Sequence, residues 1–237
     1  IANFRHQWKA IPVPFLQLAG NWDWRIRDKK EKQTPWAIGT VFNYDQAGDL
    51  ELSLAQLGLN GSYAHRLVKE KNHFLVFGAN ANFGQRNFDP SGLHLGSQYH
   101  IKEGHISTDP HGENFARTSR TIVDFGLGAN LRLKSDSTRS KLDLGIGAFH
   151  LNEPKMNFQD DVDDPLKKRM SLYGLGTLML ADKFDLLLHA MGQFQGPHQE
   201  IVFGAGGLFH LNQQKTRELA LQAGLGYRID DALIPWV

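Results

Sequence analysis

The chain contains no cysteine. That excludes disulfides, thiolate metal sites and a lipoprotein anchor carried on a cysteine. No apolar run is long enough for a membrane-spanning helix, which needs about 18 such residues, and this argues against a helical membrane protein. Charge of one sign is also lacking: the net charge is +1, so no strong field invites nucleic acid. No heptad pattern, linker or second domain is visible, and the chain is expected to be a single domain over residues 1–237. It opens Ile-Ala-Asn, without an initiating Met or a signal peptide, and reads as a mature or trimmed product. What is abundant is glycine, at 24 residues, while charged residues stand at an ordinary 22% and mean hydropathy is −0.39. A transmembrane barrel fits such figures, because its polar lumen face and its loops dilute the apolar count.

The strongest positive signal is a period of two. In residues 16–26, Leu16, Leu18, Trp22, Trp24 and Ile26 fall on one face of a strand, and Gln17, Asn21, Asp23 and Arg25 on the other. The pattern recurs almost throughout. Leu57, Leu59, Tyr63 and Leu67 oppose Gln56, Asn60, Ser62 and Arg66; Val123, Phe125, Leu127, Ala129, Leu131 and Leu133 oppose Asp124, Asn130 and Arg132. About eleven strand candidates emerge, one short and most about 9–14 residues long, sufficient to cross a bilayer at a tilt. They span 3–9, 14–27, 36–45, 51–67, 73–86, 120–134, 141–151, 169–180, 184–195, 199–211 and 217–229. Residues 232–237 read as the opening of another, giving an up-and-down antiparallel β-barrel of about 12–14 strands, with sequence expected to be missing at one or both ends. A soluble β-sandwich is the rival; it would need its apolar outward face covered by protein.

The connections alternate in length. Those at 28–33, 68–72, 135–140, 181–183 and 212–216 are short and polar, whereas both long ones, 87–119 and 152–168, belong to the opposite set. Alternate connections of a meander share an end, so both long loops should lie together, on the outer side of a bacterial barrel.

Several residue groups have two readings each. Trp22, Trp24, Trp36 and Tyr44 suit an interfacial aromatic girdle better than a ligand-stacking platform. Asp160, Asp161, Asp163 and Asp164 have oxygen density for calcium, but no Asp-x-Asp-x-Asp-Gly spacing, and basic neighbours. His94, His100, His105 and His111 are spaced too widely for an ordinary zinc site, and Ser107, His105 and Asp109 lack any Gly-x-Ser-x-Gly elbow. Inward Asp23, Arg25, Asn43, Arg66, Arg86, Asp124, Arg132, Asp143 and Arg228 mix both signs, which suits an internal polar network or an unselective water-filled pore. No catalytic residue, cofactor or metal is expected.

An ordered series of segments carries a family resemblance: Arg-His-Gln-Trp at 5–8, Leu-Asn-Gly-Ser-Tyr-Ala-His-Arg-Leu at 59–67, Gly-Ala-Asn-Ala-Asn-Phe-Gly-Gln-Arg at 78–86, Asp-Phe-Gly-Leu-Gly-Ala-Asn at 124–130, Phe-His-Leu-Asn-Glu-Pro at 149–154 and Gly-Tyr-Arg-Ile-Asp-Asp-Ala at 226–232. The chain resembles the PorP/SprF family of the type IX secretion system of Bacteroidota. The resemblance implies an integral outer-membrane β-barrel without enzymatic activity. It implies partners of two kinds: a secreted surface protein, such as a gliding adhesin presenting its C-terminal domain, and periplasmic type IX lipoproteins or a peptidoglycan-binding component. The surrounding partner is the lipid bilayer, and nucleic acid is not expected. The two long loops are the expected outer contact, with His94, Tyr99, His105, Asp109, Phe158, Asp160 and Asp161 as partner-binding residues. A passive porin and, further off, a hydrolase using the His-rich loop are the alternatives.

Overall fold

The computed structural model describes residues 1–7, 15–26, 35–48, 50–91, 99–100, 105–106, 117–158, 164–214 and 217–237. The strands are β1 Ala2–Gln7, β2 Phe15–Ile26, β3 Trp36–Ala47, β4 Leu52–Arg66 and β5 Asn72–Asn87, then two-residue β6 Tyr99–His100 and β7 His105–Ile106. After these come β8 Ser119–Lys134, β9 Lys141–Phe149, β10 Arg169–Ala181, β11 Phe184–Gln195, β12 His198–Gln214, β13 Arg217–Arg228 and β14 Ala232–Trp236. Twelve of them form one antiparallel sheet in the order β1-β2-β3-β4-β5-β8-β9-β10-β11-β12-β13-β14, and β6 pairs only with β7. No helix occurs among the described residues. The all-β up-and-down architecture expected from the alternation is what the chain adopts. Among the described residues, no ladder joins β14 to β1.

Registers divide the side chains as the period of two requires. Trp24 lies opposite Ile38 and Ile26 opposite Trp36, on one face; Asp23 lies opposite Gly39, and Gly39 opposite Asn60, on the other. The polar face is concave. A cavity of about 520 Å³ is bounded by Asp23 on β2, Asn60 on β4, Asn130 on β8 and Gln193 on β11, so strands far apart in the sheet face one space. The convex face is apolar and uncovered: Trp22 is 76% exposed, Trp24 68% and Leu59 64%, whereas Ile122, at 3%, is the sole large apolar side chain buried among the described residues. This is the reverse of a water-soluble domain, where such patches are rarely larger than a few hundred Å².

Two details differ from the sequence reading. The strands run longer than expected, to 16 residues in β5 and β8 and 17 in β12. Strand β9 stops at Phe149 rather than at 151, because His150 turns left-handed at φ 57° and sends the chain across the sheet. With antiparallel neighbours throughout, connections 88–118 and 150–168 fall at the same end of the sheet, as expected, together with the turns at 48–51, 196–197 and 229–231. The anticipated aromatic girdle is split. Trp24 and Trp36 sit toward the short-turn end, where Trp36 packs on Tyr63 at 4.7 Å between ring centroids, and Tyr44 lies toward the other end, opposite Leu18.

Candidate functional site

The long-connection end is organised by a mismatch in strand length. β8 begins at Ser119, but its ladder with β9 reaches only Leu127, opposite Ala148. The edge of β8 before Leu127 therefore needs other partners, since unpaired backbone is costly where water is excluded. The chain just after β9 supplies them. Leu151 donates its backbone N–H to the Phe125 carbonyl at 3.1 Å. The Asn152 carboxamide accepts from the Phe125 N–H at 3.3 Å and donates to the Val123 carbonyl at 2.7 Å, standing in for a strand. His150 adds a contact at 3.0 Å to Asp124, which is 5% exposed.

From this root the chain crosses the mouth of the curled sheet as a strap. Arg86 of β5 donates to the Met156 carbonyl at 2.7 Å, and its guanidinium lies 5.4 Å from the Phe158 ring centroid. Phe158 also meets Phe88 edge-on at 4.5 Å. The returning limb pairs Pro165 with Lys155 and Leu166 N–H with the Pro154 carbonyl at 3.0 Å, and the Gln195 side chain donates to the Lys167 carbonyl at 2.9 Å. The strap thus bridges β5 on one side and β11 on the other. Beneath it lies a second cavity, of about 710 Å³, between Asp45 and Leu54 on one wall, Met156 and Leu166 on the strap, and His198 on the far wall.

Deeper inside, polar groups pair in small clusters. Asp143 accepts from Arg132 at 2.6 Å and from Asn130 at 3.2 Å. Asn82 reaches Asp124 at 3.4 Å. Back at the long-connection end, Arg228 is paired with Glu200 and with Asp231 of the 229–231 turn. At the short-turn end, Arg139 of the 135–140 turn donates to both Asp185 oxygens, at 2.9 and 3.1 Å, and to the carbonyls of Ala181 and Asp182. His210 closes on the same carboxylate at 2.8 Å. The Asp185 hydrogen bond raises the Arg139 guanidinium above its ordinary value. At the start of the long connection, the Ser91 N–H holds the Asp89 carboxyl below the usual range.

Of the residues expected to touch a partner, Phe158 lies under Arg86 on the strap. Tyr99 and His105 belong to the small β6–β7 hairpin, Tyr99 opposite Ile106 and His105 opposite His100. His94, Asp109, Asp160 and Asp161 lie outside the described residues. The described limbs of the second long connection lie against the wall, where Asn152, Met156 and Lys167 all find partners. Asn152, Arg86 and Asp45 were not singled out for this end by their sequence neighbourhood. A backbone-capping carboxamide leaves no periodic signal. Among the described residues, no group of three His, Asp or Glu side chains gathers to hold a metal.

No curated protein and no solved structure matches the chain. One family does: the sequence model described as "Type IX secretion system membrane protein PorP/SprF" matches residues 1–237, the full length given. The curled sheet with an apolar outer face and a polar interior suits a membrane protein that crosses with strands. The chain belongs to the PorP/SprF family of type IX secretion system membrane proteins.

Proposed function

We propose that this chain is an integral outer-membrane barrel of the type IX machinery that docks a secreted surface protein and performs no catalysis itself. The strapped mouth at the long-connection end receives the C-terminal domain of the cargo, such as a gliding adhesin, and the short-turn end meets periplasmic lipoproteins or a peptidoglycan-binding component. The observation that carries this reading is the inverted burial. A convex face bearing Trp22, Trp24 and Leu59 in the open is stable in hydrocarbon and not in water. Long connections gathered at one end give that end the larger surface for a partner.

The test is a mild-detergent pull-down of the tagged protein from its native outer membrane, with mass spectrometry of what accompanies it. Docking predicts a large surface protein carrying a secretion C-terminal domain, together with periplasmic machine components. Deleting residues 92–116 is expected to abolish retention of that cargo while the sheet still folds; retention at the normal level sinks the docking reading. A passive pore is the second reading, favoured by the 520 Å³ interior cavity. It predicts steady single-channel conductance in planar bilayers, which the docking barrel with its strapped mouth lacks.

A further inference from the structure

The cavity under the strap contains a carboxylate whose hydrogen bonding is incomplete. Asp45 points to the concave face from β3, between Gln17 of β2 and Leu54 of β4 in register. Its Oδ1 is buried from solvent and accepts no hydrogen bond among the described residues. A buried carboxylate oxygen without a donor is unstable relative to one that is paired, and a charge-assisted donor satisfies it best. Arg86, which lines the same cavity, donates to the Met156 carbonyl and stacks over Phe158. The lining is mixed: Leu52 and Leu54 from β4 and Met156, Pro165 and Leu166 from the strap are apolar, while Ser53, Asp164, Gln195 and His198 add polar groups.

Apolar side chains beside a carboxylate that lacks a donor match a side chain with an apolar stem and a cationic head. At about 710 Å³ the space is larger than one side chain and admits the residues flanking it. We propose that the cavity receives a lysine or arginine side chain from an extended segment of the docked protein, with Asp45 accepting from its cation. This rests on the docking reading above and assigns the chemistry of what is docked. Lys167 lines the same space and competes as an internal cation.

The test uses the full chain in detergent and three fluorescein-labelled octapeptides of alanine and leucine, carrying one central Lys, Arg or norleucine. Fluorescence anisotropy is expected to show the Lys and Arg peptides binding about tenfold tighter than the norleucine peptide. Asp45→Asn, and Asp45→Ser as a second variant, remove that preference while leaving the folded-band mobility on unheated gels unchanged. Lys167→Ala keeps or strengthens it. Equal binding of all three peptides, a preference that survives in both Asp45 variants, or weaker binding in Lys167→Ala overturns the inference. Cargo retained in the pull-down without any cation preference fells this inference alone; a cation preference without retained cargo fells the docking reading.

Discussion

Asp185 is 1% exposed, the lowest value among the buried polar side chains of the described residues, where Ile122 is the sole large apolar side chain buried. A carboxylate persists there because Arg139 and His210 both reach it, and Arg139 also ties the carbonyls at 181 and 182. Removing a buried charge from its partners leaves those partners uncompensated. Asp185→Asn is expected to lower stability by about 2 kcal/mol, read as a lower urea midpoint for unfolding from lipid vesicles. An unchanged midpoint would make the cluster a bystander. A second single-residue constraint is steric. A Cβ at Gly145 would run into the ring of Tyr173, its cross-strand neighbour on the concave face. Gly145→Val is expected to swing that ring into the interior cavity and lose about 1–3 kcal/mol, visible as an altered tyrosine fluorescence and an earlier melt.

At the scale of elements, the strap behaves as a strand substitute on one side and a lid on the other. Asn152 is its hinge pin, because one carboxamide satisfies two backbone groups of β8. Asn152→Ala should cost about 1–2 kcal/mol locally without unfolding the sheet. The measurement is limited trypsin digestion: cleavage after Lys155 and Lys167 should accelerate in the variant, while the barrel strands stay protected. Equal rates would mean that Leu151, Arg86, Phe158 and Gln195 hold the strap without help from Asn152. Strands were legible in the sequence because each contributes many residues to the same alternation. Leu127, Ala129 and Leu131 against Asn130 and Arg132 leave no choice of face. The strap was not legible. Asn152 sits in a polar stretch like any loop, Arg139 and Asp185 are separated by 46 positions, and Arg86 reads as one more inward arginine. Contacts between elements depend on where each strand ends, and period-two patterning fixes faces but not endpoints.

For the whole molecule, the two faces are two solvents. Leu59 and Asn60 are neighbours in β4, one facing out at 64% exposure and the other facing the interior cavity. Leu59→Arg is expected to destabilise the protein in vesicles by about 2–4 kcal/mol, whereas Asn60→Arg should change stability far less. Equal penalties at the two sites would contradict a lipid-facing convex surface. The up-and-down order has one more result. Each long strand lies beside its sequence neighbour, so almost every closure along the way spans a handful of residues. The connections at 88–118 and 150–168 are the exceptions, and bridging the 31 residues of the longer (88 to 118) rather than about five costs roughly 1–2 kcal/mol more in chain entropy. Assembly is therefore expected to divide into three quick runs of short closures, β1 to β5, β8 with β9, and β10 to β14, separated by two slower joining steps, the slowest being the one in which β8 finds the rim of β5.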